Sequence, residues 1–495
     1  MWPLSKRQWI AWFGLPTLLI ALFPAACTVG PDYVRPAAPV PEKYKELKGW
    51  KRATPSDDVD RGAWWSVFKD EKLDTFESHV ELSNQTVAAA EAAYRQSLAV
   101  IEEAQAGLFP TTNYSYTSTG SHFGARAIGS GLGTGITKTV STISANASWT
   151  LDLWGRIRRT VESDVSGAQV SAADLANAKL STQAMLATAY YNLRAADALQ
   201  ALFHRTAVAY KRTLEITQHQ YDAGTVSKAD VDTALAQLLN TQAMEIGVGV
   251  TRAQFEHSIA ALMGEPPADL TIPPIPLGYR LPDIPVSVPS ALLERRPDIA
   301  ASERAMQQQN ALIGAAIALY YPDVSLTGMF GFTGVGAIAL VFANEVWNIG
   351  GSVVQTVFDA GLRDAQAEAA LATYKQSVAT YRQTVLTGFQ QVEDQLAAIR
   401  ILAREQKVAD ASVKAARDEV DILLNQYRAG TVAFTAVVVA QAMLLTNEET
   451  ALTVRQNRFL ATVALIEALG GGWNSALLPS ERALETRNPL IPDLQ

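Results

Sequence analysis

Tyr221-Asp222-Ala223-Gly224-Thr225-Val226 returns 206 residues later (427 minus 221) as Tyr427-Arg428-Ala429-Gly430-Thr431-Val432. Both copies interrupt long Ala-rich and Gln-rich stretches whose pattern is helical on either side. A Gly after a helical run supplies the left-handed residue that ends a helix, and a Ser or Thr beyond it can cap the next one. Each hexapeptide therefore reads as the tip of a helical hairpin. The pair reads as an internal duplication.

The register holds outward from the tips. Gly155 and Gly361 are 206 apart, as are Met263-Gly264 and Leu469-Gly470, whereas Pro110 and Pro322 are 212 apart. Duplication predicts a constant offset over the helices, with the change of length confined to the segment between Pro110 and Gly155. That segment has a different texture. Tyr114 and Tyr116 alternate with Asn113, Ser115 and Thr117. Ile143, Ala145, Ala147, Trp149, Leu151 and Leu153 alternate with Ser144, Asn146, Ser148, Thr150 and Asp152. In the second copy Val324, Leu326, Phe330 and Phe332 alternate with Ser325, Thr327 and Thr333. A period of two with one apolar face suits a strand between lipid and a watery lumen, and equally a half-buried soluble strand. The strand pairs are expected over about 111–154 and 323–358.

From Gly155 to Tyr221 nothing breaks the helical pattern. At 1.5 Å per residue such a helix runs roughly 100 Å. Its counterpart carries Leu371, Tyr374, Val378, Tyr381, Val385, Phe389, Val392, Leu396 and Ile399, 28 residues in eight steps. That is the heptad period of a left-handed coiled coil. The shorter helices, 82–109 and 227–263, together match the long one and can stack end to end beside it. Ser227 and Asp230 stand in the relation of a capping box. Four strands cannot close a bacterial barrel, which starts at about eight, and lipid tolerates no bare strand edge. The chain must then share a barrel with copies of itself; periodicity leaves two, three or four copies open. The fold class is mainly α with transmembrane β, in two tandem repeats at 82–264 and 296–473. A linker over 265–295, with eight prolines from Pro266 to Pro289, joins them, and a polar tail over 474–495 is expected to be disordered.

Composition narrows the function. Charged residues are 18% of 495 and the net charge is −8, so no basic field points to nucleic acid. The five histidines form no metal-ligand pair at helical spacing, and no nucleophile elbow or phosphate loop is present. Asp152 reads as a lumen-facing strand residue rather than a catalytic acid. Neither an enzyme nor a cofactor is expected. A periplasmic adaptor would carry one helical hairpin between soluble β-domains, against the two hairpins seen here.

Residues 1–26 read as a leader: Lys6 and Arg7, an apolar run from Ile10 to Phe23, then Pro24-Ala25-Ala26 before the single cysteine, Cys27. The apolar run is shorter than the ~20 residues a span needs. Cys27-Thr28-Val29-Gly30-Pro31-Asp32-Tyr33 resembles the mature start of TolC-like outer-membrane efflux lipoproteins, the OprM/NodT branch. Trp64-Trp65-Ser66-Val67-Phe68, Glu294-Arg295-Arg296-Pro297-Asp298-Ile299, Tyr321-Pro322-Asp323-Val324-Ser325-Leu326 and Gly470-Gly471-Gly472-Trp473 match further motifs of that family.

The resemblance implies a homotrimer with a twelve-stranded barrel in the outer membrane and a twelve-helix tunnel across the periplasm. An arm and equatorial segment would occupy 27–81. The leader would be cleaved before Cys27, which would then be acylated and anchor the chain to outer-membrane lipid. The role implied is the exit duct of a tripartite pump, docked through a periplasmic adaptor to an inner-membrane transporter. Small-molecule efflux is favoured, and export of protein stays open. Ala223, Gly224, Thr225, Ala429, Gly430 and Thr431 match the adaptor-docking tips. The acidic position of the family's gate corresponds to Val439, with Ala436 and Val438 beside it, so an apolar constriction is expected. Tyr427 and Arg428 would tether the inner hairpin to Asp222 or Asp230.

Overall fold

The computed structural model describes residues 28–46, 63–124, 135–278, 280–282, 294–336 and 344–485. Cys27 and its leader lie outside the described residues, as do 283–293. The first repeat comprises α1 (Glu71–Ser83), α2 (Gln85–Ala106), β1 (Thr111–Phe123), β2 (Ile136–Leu151), α3 (Arg156–Asp222) and α4 (Lys228–Leu262). The second comprises α5 (Pro297–Ala318), β3 (Asp323–Val335), β4 (Glu345–Val354), α6 (Leu362–Arg428) and α7 (Phe434–Ala468), and a short α8 (Glu481–Glu485) follows. α2 and α5 both have 22 residues, α3 and α6 both 67, and α4 and α7 both 35. The length difference between repeats is thus carried by strands and their connections. No described helix is long and apolar enough to cross a membrane.

The helix ends explain how two short helices make one long column. Asn84 accepts from the Thr86 and Val87 N–H groups, capping α2, and its amide donates to the Leu262 carbonyl at 2.6 Å, capping α4. One side chain closes both ends of the seam. At the matching seam of the second repeat the buried Arg296 donates to the Ala468 carbonyl, to Gln391 and to Asp298. A Cβ on Gly264 would run into the Ser83 carbonyl, and one on Gly470 into that of Arg295. The arginine and glycine motifs are therefore two sides of one joint.

The columns lie in the order α2 with α4, then α3, then α5 with α7, then α6. The heptad stripe of α6 is the core of its repeat: Tyr381, Val385, Phe389, Val392 and Leu396 are buried against Tyr44, Ile299, Met306 and Leu465. The Trp64–Phe68 turn and α1 pack on α3 around Leu186, Tyr190 and Leu193. The helix expected over 82–109 is α2, and a separate helix, α1, precedes it from Glu71, because Asp70 caps it on the Lys72 and Leu73 N–H groups. The tail expected to be disordered is docked as far as Glu485. Leu484 is buried among Ile101, Val161, Val165 and Ala168, which form a groove already shaped by α2 and α3.

Candidate functional site

The four strands form one antiparallel sheet in the order β1-β2-β3-β4. Its register aligns Tyr114, Ala145, Phe330 and Trp347 in one row, with Tyr116, Ile143 and Phe332 in the next. These side chains share a face, because alternate residues point the same way. Tyr114 is 89% exposed and Trp347 65%, so the face has no partner among the described residues. The opposite face is polar and bonded to itself. Ser115 meets Ser144 at 3.0 Å, Asn146 donates to Asn113 at 3.1 Å, and Thr142 meets Thr333 at 3.0 Å. β1 and β4 each leave one edge unpaired.

Two expectations about this region need correction. β2 ends at Leu151 and β4 at Val354, so Asp152, Leu153 and 355–358 fall outside the strands. Asp152 instead caps α3. Its carboxylate accepts from the Ile157 and Arg158 N–H groups and from the Arg158 guanidinium, satisfying donors that the start of a helix leaves open. Asp359 does the same for α6 through the Gly361 and Arg363 N–H groups. The residue type and the Gly that follows were readable; the carboxylate's direction was not.

At the far end of the helices the two tips make the same turn. Gly224 and Gly430 have φ of +73° and +72°, as the reversal requires. The Thr225 N–H and hydroxyl both donate to the Gln220 carbonyl, at 2.9 and 2.8 Å. Thr431 does likewise to Gln426, at 3.0 and 2.9 Å. The threonine hydroxyls are thus already engaged in ending the helix, while Ala223, Gly224, Ala429 and Gly430 stand exposed around them. Ser227 and Asp230 close a full capping box.

The hairpins are joined near the tips by a core rather than by ion pairs. Tyr427 is 3% exposed and packs on Phe434, with Ala234 and Val437 beside it. Its hydroxyl donates to Thr217 at 3.3 Å. Burial pushes the phenol above its usual pKa; the Thr217 bond offsets part of this and nearby Asp230 adds to it. Gln441 donates to Thr213 at 3.0 Å, and Tyr210 donates to the Gln441 carbonyl at 3.1 Å. Within the protomer, Tyr427 therefore does not tether an acid. Arg428 donates to Asn425, and Asp222 accepts from Gln218. Buried Tyr427 sits at the heptad spacing from Val420, a core signal the sequence carried.

The residues expected at the gate separate by face. Val437 is buried, Ala436 and Val438 are half-buried, and Val439 is 66% exposed. Ala436, Val439 and the exposed Met443 share a stripe, being three, four and seven apart. Met443 was not among the expected residues, although its spacing from Val439 puts it on the same face.

The sequence profile described as outer membrane efflux protein matches residues 78–265 and 288–471. The chain belongs to the outer membrane efflux protein family. Outer membrane protein OprJ of Pseudomonas aeruginosa is 28% identical over 473 residues, 93% of this chain and 96% of its own. The toluene efflux pump outer membrane protein TtgC of Pseudomonas putida is 28% identical over 469 residues, 93% of this chain and 95% of its own. The solved outer-membrane channel OprN superposes with a TM-score of 0.83 at 27% identity, over 90% of this chain and 100% of that one. The CmeC outer membrane channel of Campylobacter jejuni gives 0.85 at 22% identity, over 92% and 97%, a likeness of fold. As an outer membrane efflux protein, the chain uses its sheet in the membrane and its long helices below it.

Proposed function

We propose that this efflux protein is the exit duct of a tripartite pump, passing small molecules from periplasm to exterior as a homotrimer. One observation carries the reading. An open four-stranded sheet, apolar outside and polar inside, continues into helices of 67 residues, roughly 100 Å long. Each protomer ends in unlike edges: β1, α2 and α4 on one side, β4 and α6 on the other. Unlike edges join head to tail, and a ring of three gives the twelve strands that close a barrel.

The tips offer exposed backbone and small side chains to an adaptor, which would join the duct to an inner-membrane transporter. The stripe of Ala436, Val439 and Met443 on α7 is apolar and partly exposed, which supports an apolar constriction that closes by packing and dewetting. Arg428 and Asp222 are exposed and can still pair between protomers, whereas Asp230 is half-buried and held by its capping box with Ser227. Acylation at Cys27 is supported by its neighbour: Thr28 rests on Gly155, and the Val29 N–H donates to the Trp154 carbonyl, three residues past the end of β2. A lipid there would enter the bilayer beside the barrel wall.

The test is conductance in planar bilayers together with drug tolerance of a strain lacking its own duct. A steady pore whose conductance rises in Val439→Asp, with tolerance restored by the parent protein, is expected. A protein that forms no pore and restores nothing contradicts the proposal.

A further inference from the structure

The duplication makes one asymmetry visible. In the first repeat the membrane-proximal groove between α2 and α3 is filled: Leu484 of α8 lies against Ile101, Val165 and Ala168. The second-repeat positions equivalent to those three are Ile313, Leu371 and Tyr374, by the offsets of 212 and 206. They line a groove of about 620 Å³ between α5 and α6; the arm's Tyr33 packs on the core next to it, and among the described residues no apolar side chain fills it as Leu484 fills its twin. Val34 of the arm, 78% exposed, borders it. An apolar groove left open beside its filled twin calls for an occupant.

We propose that the groove between α5 and α6 is filled by residues 486–495 of the adjacent protomer, so that each tail staples two chains. This rests on the trimeric reading above. The tail's path gives the direction. Gln169 donates to the Pro479 carbonyl on α3, and Gln105 donates to the Glu485 carbonyl on α2. The tail thus crosses the columns towards α2, the edge that meets the next chain's α6, and Glu485 is the last described residue. Gln105 is equivalent to Ile317, which lines the open groove, so both grooves lie at one height along the duct.

Length and chemistry agree. The ten residues beyond Glu485 reach at most about 33 Å, and two interhelical spacings amount to about 20 Å. Those ten residues read Thr486-Arg487-Asn488-Pro489-Leu490-Ile491-Pro492-Asp493-Leu494-Gln495. Leu490 and Ile491 supply the apolar plug. The flanking Pro489 and Pro492 lower the entropic cost of ordering such a segment. Arg487 supplies a cation for the groove's exposed Asp364 and Glu368.

The experiment uses two full-length variants with different tags, Leu490→Cys and Leu371→Cys, co-expressed and oxidised in the membrane. The mass in detergent is measured alongside. A disulfide joining the two tags within a trimer is expected. Removal of 486–495 should lower the temperature at which the trimer dissociates while leaving its conductance unchanged. A trimer with no cross-tag disulfide, and with the same dissociation temperature after truncation, overturns the tail assignment alone. So does a Leu490→Cys, Leu371→Cys double variant that closes only within one chain. A monomeric mass overturns the trimeric reading itself.

Discussion

Arginine placed at three positions of the sheet should have three different costs, and the structure says which. Phe330 lies in the central row between Ala145 and Trp347, on the apolar face. It is half-exposed and packs edge-on against Phe332 at 5.5 Å. Near the bilayer midplane an outward arginine costs about 2–4 kcal/mol per copy. Met329, its neighbour, points into the polar face opposite Asn146 and Asn348. Met329→Arg should cost little, because a wet lumen solvates the charge. Leu151 shares the face of Phe330 but is the last residue of β2. Leu151→Arg should therefore cost only about 0–1 kcal/mol, the value near an interface. Guanidinium unfolding of the protein in lipid vesicles, followed by tryptophan fluorescence, measures all three. Phe330→Arg should stand out by roughly tenfold or more in the unfolding constant. If Met329→Arg is the costlier variant, the faces are assigned backwards; if Leu151→Arg equals Phe330→Arg, the midplane is misplaced.

Other expectations follow from the helical body. Asn84→Ala removes a cap and a buried hydrogen bond at one seam, and should lower stability by about 2 kcal/mol in denaturant titration. Thr431→Val breaks the hydroxyl bond to the Gln426 carbonyl; a loss near 1 kcal/mol with intact efflux would leave the hydroxyl a structural role only. Glu77 is fully buried with both oxygens unpartnered, and burial, with Asp74 nearby, pushes its carboxyl from 4.5 up to about 9. Its contribution is fully present below the unfolded value and is lost as pH rises towards the folded one. Stability should therefore fall between those limits, by about 3 kcal/mol at pH 7. Glu77→Gln should flatten that slope in melts run from pH 5 to 8, and an unchanged slope would refute the assignment.

Much of this was legible in the chain. The repeated hexapeptide placed both tips, and the stripe from Tyr381 to Leu396 named the core of α6 before any contact was known. Periodicity reads faces well, because a helix or strand repeats its environment. It reads single anchoring contacts poorly. Leu484 sits in a polar tail with no period of its own, and one leucine suffices because α2 and α3 have already formed its groove. Asp152 carried the alternation of the strand beside it and so passed for a strand residue, although its carboxylate turns to the start of α3. The tether to an acid expected of Tyr427 does not form within the protomer, where its hydroxyl lies between helices and donates to Thr217.

Electron cryomicroscopy of the full-length protein in lipid nanodiscs tests the central claim most directly. The account predicts three copies around one axis, twelve strands, and β1 of each chain paired with β4 of the next. Tyr114 and Trp347 would face lipid, and Asn113 and Asn146 the bore. A dimer, a ring with an open seam, or a barrel with the aromatic row turned inward would contradict it.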